Sequence, residues 1–210
     1  MISFSKRIFL AFTLIFLCGA VHAQKIEEGF DYRVLPAPQA VEQKGKVEVI
    51  EFFWYGCGHC YTFEPMLTAW GKQLPEGAIV QPSPAVWNDP MRMHAKAFYI
   101  AEVLGVKAVM HPVIFDAMHL QRKRLVSRLE LRDLFEDNGV DPDKFDKAFD
   151  SFGVDSQVRQ ADSRARSAKV SGTPTLMVAG KYLIETRGAG NQTNMLEIAR
   201  YLVEKELAAR

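Results

Sequence analysis

The 210-residue sequence balances 26 lysines and arginines against 25 aspartates and glutamates, so its formal net charge at pH 7 is only +1. This near-neutral balance argues against electrostatic nucleic-acid binding, which needs a clustered basic face. The chain is long enough for one domain with a substantial core, or for one domain that carries a large insert.

The first 23 residues have the organisation of a signal peptide. The basic pair Lys6-Arg7 precedes an apolar run over residues 8–17, and the small-residue site Val21-His22-Ala23 follows. The apolar run is short for a membrane span, which needs roughly 20 apolar residues. We therefore predict that residues 1–23 are removed and that the rest of the chain is exported; a retained N-terminal anchor is the alternative.

Cysteine usage after this cleavage points to redox chemistry. Of three cysteines, cleavage removes Cys18 and leaves only Cys57 and Cys60. An exported protein that used disulfides as staples would space its cysteines far apart, in order to close long loops. A bridge between Cys57 and Cys60 closes a ring of four residues and constrains the unfolded chain very little. The pair is therefore predicted to serve chemistry rather than stability.

These two cysteines lie where an apolar strand is predicted to be followed by a helix. Residues 47–55 are rich in β-branched and aromatic side chains, as is typical of a buried strand, and Gly56 ends the run. Cys57 then opens the predicted helix, and Cys60 follows one turn later. A thiol at a helix N-terminus lies beside free backbone N–H groups and the positive end of the helix dipole, and both favour the thiolate. The pattern predicts a dithiol–disulfide exchange centre.

Two metal-based alternatives are weaker. Tetrahedral zinc needs four ligands, and the mature chain has no third cysteine; besides His59 between the thiols, its histidines are His94, His111 and His119 in a predicted helical block. A c-type haem requires histidine directly after the second cysteine, where this chain has Tyr61. We predict no metal site and assign the three distant histidines to surface or core-lining positions.

Outside the cysteine motif, hydrophobic periodicity predicts strands at both ends of the mature chain and a helical block between them. The predicted elements are a strand at 32–35, a helix over 61–74, a strand at 78–81, a helical block over 89–169, a hairpin of 175–179 with 182–184, and a helix over 191–209. Pro65 is predicted to kink or break the first helix. The prolines that follow the strand at 78–81 suit a sheet edge or a loop. Within the block, helices are predicted over 91–104, over 108–120 or from Pro112 onward, after a capping box at Ser127, after the N-cap Asp141, and over 156–169.

Two motifs give the chain a resemblance to a known family. Glu-Phe-Phe-x-x-x-Cys-x-His-Cys-x-x-Phe-Glu spans residues 51–64, and Gly-Thr-Pro-Thr-Leu-x-Val-x-Gly-Lys-Tyr spans residues 172–182. Together with the order of elements, these motifs resemble those of the DsbA-like periplasmic thiol oxidoreductases of the thioredoxin superfamily. The resemblance implies an α/β thioredoxin fold with an inserted all-helical domain. Residues 24–88 and 170–210 would form the thioredoxin part, and residues 89–169 the insert.

The resemblance also implies roles for the first motif. Cys57 would be the exposed nucleophile and Cys60 its buried partner, while His59 would stabilise the Cys57 thiolate by charge or hydrogen bonding. A stabilised thiolate is a good leaving group, which makes the disulfide more oxidising. The dipeptide Gly58-His59 departs from the Pro-His of the best-known family member, and Gly-His also occurs in disulfide isomerases, so the redox poise stays open.

Three further site residues follow from the resemblance. Pro174 would be a cis proline, and Thr173 would face Cys57 and offer its backbone to an extended substrate peptide. Glu51 matches a buried acid that assists proton movement near the cysteines, although a strand glutamate that faces solvent is the alternative. The segment 81–84 contains no lysine to match the one that pairs with this acid elsewhere in the family.

The implied function is the donation of the Cys57–Cys60 disulfide to newly exported proteins in the periplasm, through a mixed disulfide at Cys57. The implied partners are unfolded exported proteins with free thiols and a DsbB-type membrane protein that reoxidises the dithiol. No cofactor beyond the disulfide itself, no metal, no nucleic acid and a monomeric state are expected. The alternatives are a disulfide isomerase or reductase and, in a different class, a non-redox chaperone or metal-delivery module.

Overall fold

The computed structural model describes residues 25–210, and the predicted signal peptide lies outside this range. Within the described range, no helix is long and apolar enough to cross a membrane.

A five-stranded sheet forms the centre of the molecule. Its strands are β1 Arg33–Val34, β2 Val47–Phe53, β3 Ala78–Pro84, β4 Thr175–Val178 and β5 Tyr182–Glu185, in the spatial order β1-β5-β4-β2-β3. Strand β2 runs parallel to β3 and antiparallel to β4. All seven of its residues are buried, as the apolar run predicts, because side chains pack on both faces of the strand.

Strand β3 is longer than predicted and contains both prolines of its segment. Pro82 and Pro84 pair with Glu51 and Phe53 of β2. The strand tolerates them because it lies at the edge of the sheet, where one side of its backbone has no neighbouring strand to bond. The prediction of an edge position is therefore confirmed, but the predicted end of the strand at residue 81 is wrong.

Among the described residues, three helices lie outside the segment 89–169 and five lie within it, and the last of these five also packs against the sheet. The first group is α1 Gly58–Gly71, α7 Thr186–Ala189 and α8 Gln192–Ala208; the insert comprises α2 Asp89–Val103, α3 Lys107–His119, α4 Arg128–Glu136, α5 Pro142–Phe149 and α6 Phe152–Ser167. Ser127 and Glu130 form the predicted capping box of α4. Helix α1 continues through Pro65 without a break.

Several helix starts differ from their predictions; for example, α2 begins at Asp89 rather than at residue 91. Helix α3 begins at Lys107 and includes Pro112, so a start after that proline is wrong. Pro112 falls in the second turn of α3, where only one intrahelical hydrogen bond is lost. Helix α6 begins at Phe152 rather than near residue 156, because the Ser151 hydroxyl accepts from the Val154 N–H and caps the helix there.

The core of the insert extends to the end of strand β2. Phe98, Phe115 and Phe145 are buried in one cluster that also takes in Tyr55 and Cys60. The segment that carries the cysteines therefore lies between the sheet and the helical insert, and it receives side chains from both.

Candidate active site around Cys57 and Cys60

The cysteine pair lies on a tight connection between β2 and α1. The Cys57 N–H donates to the Trp54 carbonyl at 2.9 Å, which closes a turn, and Cys57 then occupies the N-cap position of α1. Its side chain makes no capping hydrogen bond and is partly exposed, whereas Cys60 is fully buried one turn later. The two thiols are thus held in different environments, one accessible and one enclosed.

The surroundings of Cys57 favour its thiolate. The Cys60 side chain, by hydrogen bonding to Cys57, is the main cause that lowers the Cys57 pKa to about 5; partial burial opposes the change. The Thr173 side chain and the backbone N–H groups of Cys60 and His59 lower this pKa further. The backbone N–H groups are the contribution of the helix N-terminus that the sequence predicts, and the larger effect of the Cys60 side chain adds to it.

Cys60 has the opposite character. Burial raises its pKa far above the usual value for a thiol, and its hydrogen bond to Cys57 and the nearby Glu51 raise it further. Cys60 therefore remains a thiol at neutral pH while Cys57 ionises. Cys57 can therefore leave a mixed disulfide as a stable thiolate, whereas Cys60 needs a proton once its disulfide bond is broken.

The dipeptide between the cysteines is exposed. Gly58 and His59 both face solvent. The His59 backbone carbonyl accepts from Gln192 Nε2 at 2.6 Å and from the Thr62 hydroxyl at 3.1 Å. The hydrogen bonds of His59 among the described residues are thus made by its backbone, and the stabilising role of its side chain stays a prediction.

Thr173 and Pro174 lie next to Cys57, as predicted. The Thr173–Pro174 peptide bond is cis, and the Cys57 thiol lies 3.3 Å from the Thr173 carbonyl oxygen, to which it donates. Thr175 supports this loop because its hydroxyl donates to the Gly172 carbonyl at 2.8 Å. The structure therefore brings the two sequence motifs together at one site.

Glu51 is buried beneath the cysteine pair. Only 1% of its surface is exposed, so a solvent-facing position is wrong. Burial is the main cause that raises its pKa well above the usual carboxyl value, followed by the charges of Glu64 and Cys57. Its carboxyl group therefore ionises less readily than an exposed one, and, when ionised, it makes ionisation of Cys60 less favourable in turn.

Three histidines of the insert contact the segment before Cys57, which the sequence did not reveal. His94 Nδ1 accepts from Trp54 Nε1 at 2.9 Å, His111 Nδ1 lies 2.7 Å from the Tyr55 hydroxyl, and His119 Nε2 donates to the Tyr55 carbonyl at 2.8 Å. The available signal was the four-residue spacing of positions 111, 115 and 119, which puts them on one face of α3. Within residues 25–210, no three His, Cys, Asp or Glu side chains are grouped to hold a metal ion.

These pKa values predict the titration of the reduced protein. One thiolate should appear with a midpoint near pH 5, measured as absorbance at 240 nm, and no second thiol should ionise below pH 9 because the Cys60 pKa is raised. The C57S variant is the control and should lose this transition. A midpoint near the ordinary thiol value of about 8.5 would contradict the assigned environment of Cys57.

Comparisons with known proteins agree with this geometry. The family model described as DSBA-like thioredoxin domain matches residues 84–198. A thiol:disulfide interchange protein DsbA from Azotobacter vinelandii is 38% identical over 205 residues, which cover 96% of each chain. A crystal structure of Pseudomonas aeruginosa DsbA superimposes with a TM-score of 0.84 at 37% identity, covering 89% of this chain and 97% of that one. The Xylella fastidiosa oxidoreductase DsbA gives a TM-score of 0.79 at 32% identity, covering 85% and 96%.

The family model covers the insert and the second motif, and the alignment with the Azotobacter protein extends over nearly the whole chain. The cysteine pair at the start of α1 lies outside the residues that the family model matches, whereas the helical insert lies inside them. This chain belongs to the DsbA family of thioredoxin-fold thiol:disulfide oxidoreductases.

Proposed function

We propose that this protein donates its Cys57–Cys60 disulfide to newly exported proteins, with Cys57 as the attacked sulfur. The observation that supports this direction is the contrast between the two sulfurs. Cys57 is partly exposed and its pKa is lowered to about 5, whereas Cys60 is buried. A stable thiolate favours the dithiol form and so makes the disulfide a stronger oxidant.

The reaction consists of two exchanges. A substrate thiolate attacks Cys57 Sγ, the Cys57–Cys60 bond breaks, and Cys60 leaves and takes up a proton. The second substrate thiolate then attacks the substrate sulfur of the mixed disulfide, and Cys57 leaves as a thiolate. The substrate loses two electrons and gains a disulfide, while the protein gains two electrons and becomes a dithiol. The low Cys57 pKa accelerates the second step because a weakly basic thiolate leaves readily.

The other site residues receive supporting roles. Thr173, before the cis Pro174, offers backbone groups beside Cys57 to an extended substrate peptide. Glu51 exchanges a proton with Cys60, and the Gly58-His59 dipeptide adjusts the stability of the thiolate.

The setting follows from family membership and the N-terminal sequence. Residues 1–23 direct export to the periplasm, where a DsbB-type membrane partner accepts the two electrons and restores the disulfide. The protein acts as a monomer on unfolded exported chains with free thiols. It needs no group other than its own disulfide.

The test is the redox equilibrium of the Cys57–Cys60 couple against glutathione, followed by tryptophan fluorescence. We expect a reduction potential well above the value of about −270 mV that is typical of thioredoxin. A C57S/C60S double variant controls for fluorescence changes unrelated to the disulfide. A potential at or below the thioredoxin value would overturn disulfide donation and favour a reductase.

A further inference from the structure

The buried acid Glu51 has no partner for its charge. Neither of its carboxylate oxygens finds a hydrogen-bond partner among residues 25–210. Its neighbours across the sheet are Pro82 in β3 and Leu176 in β4, and neither side chain can donate a hydrogen bond. An ionised carboxylate in this position would be costly, since buried charges need pairing or hydrogen bonds.

The side chain that faces Glu51 is an acid rather than a base. Glu64 of α1 and Glu51 line one cavity of about 340 Å³, between α1 and the edge strand β3. The Glu64 charge is the second cause, after burial, that raises the Glu51 pKa. Lys72, also on this cavity, is exposed to solvent.

Glu64 is held in place from two sides. The Thr68 hydroxyl donates to Glu64 Oε1 at 2.8 Å, and Nε2 of the buried His111 lies 3.3 Å from Glu64 Oε2. The second contact is at salt-bridge distance but lacks good hydrogen-bond alignment. Burial would raise the pKa of Glu64, but His111 and Thr68 outweigh it, so the Glu64 pKa is lowered and the group remains a carboxylate at neutral pH.

The two neighbours of His111 determine which of its ring nitrogens carries the proton. A carboxylate can only accept, so a neutral His111 carries its proton on Nε2, toward Glu64. Its Nδ1 atom then accepts from the Tyr55 hydroxyl at 2.7 Å. Burial keeps Tyr55 protonated because it raises the tyrosine pKa well above its usual value. The chain Tyr55–His111–Glu64 thus aligns the carboxylate from the helical insert.

We propose that the Glu64 carboxylate, positioned by His111, keeps the buried Glu51 in its acid form and so ready to protonate Cys60 when the disulfide opens. The proton transfer from Glu51 to Cys60 belongs to the proposed function, on which this inference rests; the new element is the role of Glu64 and His111. The proton passes from the Glu51 carboxyl to the Cys60 sulfur as the Cys57–Cys60 bond breaks, and Glu51 becomes a carboxylate. Glu51 would be a catalytic acid, whereas Glu64 and His111 are positioning residues.

The other charged groups in this region do not substitute for Glu64 as the charge that faces Glu51. Strands β3 and β4 present no titratable side chain beside it. On α3, Lys107 is paired with Glu102 at 2.6 Å, and Asp116 accepts from the Tyr61 hydroxyl at 3.0 Å. The remaining titratable groups around Glu51 are Cys57, Cys60, Tyr55 and the exposed Lys72.

The first test is the titration of Glu51 in the E64Q variant. The Glu51 carboxyl carbon is followed by NMR in the disulfide form, in which neither thiol titrates, and E51Q assigns the signal. Removal of the facing negative charge makes ionisation of Glu51 easier, so we expect its midpoint to fall by about one pH unit or more. An unchanged midpoint would overturn the proposal.

His111 is tested by a double-mutant cycle. In H111F the Glu64 carboxylate is no longer held, so the effect of E64Q on Glu51 should be clearly smaller than in the wild-type background. H111Q retains a donor and an acceptor and should restore the full effect. H119F is the matched control, because His119 lies on the same helix and also contacts Tyr55, whereas the histidine at ion-pair distance from Glu64 within residues 25–210 is His111. Equal effects in H111F and H119F would exclude the assigned role of His111.

The kinetic test follows the opening of the disulfide by dithiothreitol from pH 4 to 10. After correction for the thiolate fraction of the reagent, the rate should decline above the Glu51 midpoint, and E64Q should move this decline to lower pH. A decline that stays in place while the Glu51 midpoint moves would show that Glu51 does not protonate Cys60. The potential against glutathione is measured separately, so a failure of disulfide donation and a failure of this inference give different results.

Discussion

Replacement of Cys57 by serine should abolish disulfide transfer. We expect the oxidation rate of a reduced two-cysteine peptide to fall by on the order of 10³-fold or more, to that of the uncatalysed exchange. Cys57 is the partly exposed sulfur of the pair and the one whose pKa is lowered, whereas Cys60 is buried with a raised pKa. Cys60 alone therefore has neither the access nor the thiolate needed for exchange. Mass spectrometry of the peptide measures the rate.

The C60S variant is the matched control, because it removes the other sulfur of the pair with an equally small change. It should also lose turnover, but it should retain reaction at Cys57 and accumulate a stable mixed disulfide with glutathione, since no second thiol can release it. C57S should accumulate none. If C57S formed the adduct and C60S did not, the assignment of the nucleophile would have to be reversed.

The parts of the fold that depend on neighbouring residues were predictable from the sequence. The buried strand β2 shows as an apolar run, and the Ser127 cap of α4 lies three residues from its glutamate partner. The position of Cys57 at a helix start follows from the same local pattern, so the lowered pKa of one thiol was predictable in direction.

The parts that depend on packing between distant segments were not predictable in this way. Helix α3 includes Pro112 because tertiary packing outweighs the local preference of proline for a helix start. The contact between His111 and Glu64 joins the insert to α1, and no periodicity in either segment indicates it. The unpartnered state of Glu51 likewise requires the β2–β3 register, which puts Pro82 directly opposite it.

The two redox forms should differ in stability in a pH-dependent manner. The Cys57 pKa is about 5 in the folded dithiol, below the value of about 8.5 expected for an unfolded chain. A depressed folded-state pKa contributes stability that is fully present above the unfolded pKa and is lost as pH falls through the folded pKa. The disulfide form has no thiol to titrate. The dithiol should therefore gain stability relative to the disulfide form between about pH 5 and pH 8.5, and this gain should vanish below about pH 5.

The expected difference in stability between the two forms is large enough to measure by thermal unfolding. At ~1.4 kcal/mol per pKa unit the upper bound is about 5 kcal/mol, and solvent screening at the partly exposed Cys57 reduces it to about 2 kcal/mol. For a chain of this length, ~2 kcal/mol corresponds to a Tm difference of roughly 4–8 °C. Thermal unfolding of both forms at pH 4 and pH 8 measures this change, and the same pair of scans on C57S, with and without oxidant, is the control. The free energy that stabilises the Cys57 thiolate in the fold is the same free energy that makes the disulfide oxidising, because both compare the same dithiol with a state that lacks the thiolate. A pH-independent Tm difference would therefore contradict both the assigned Cys57 pKa and its use as the source of oxidising power.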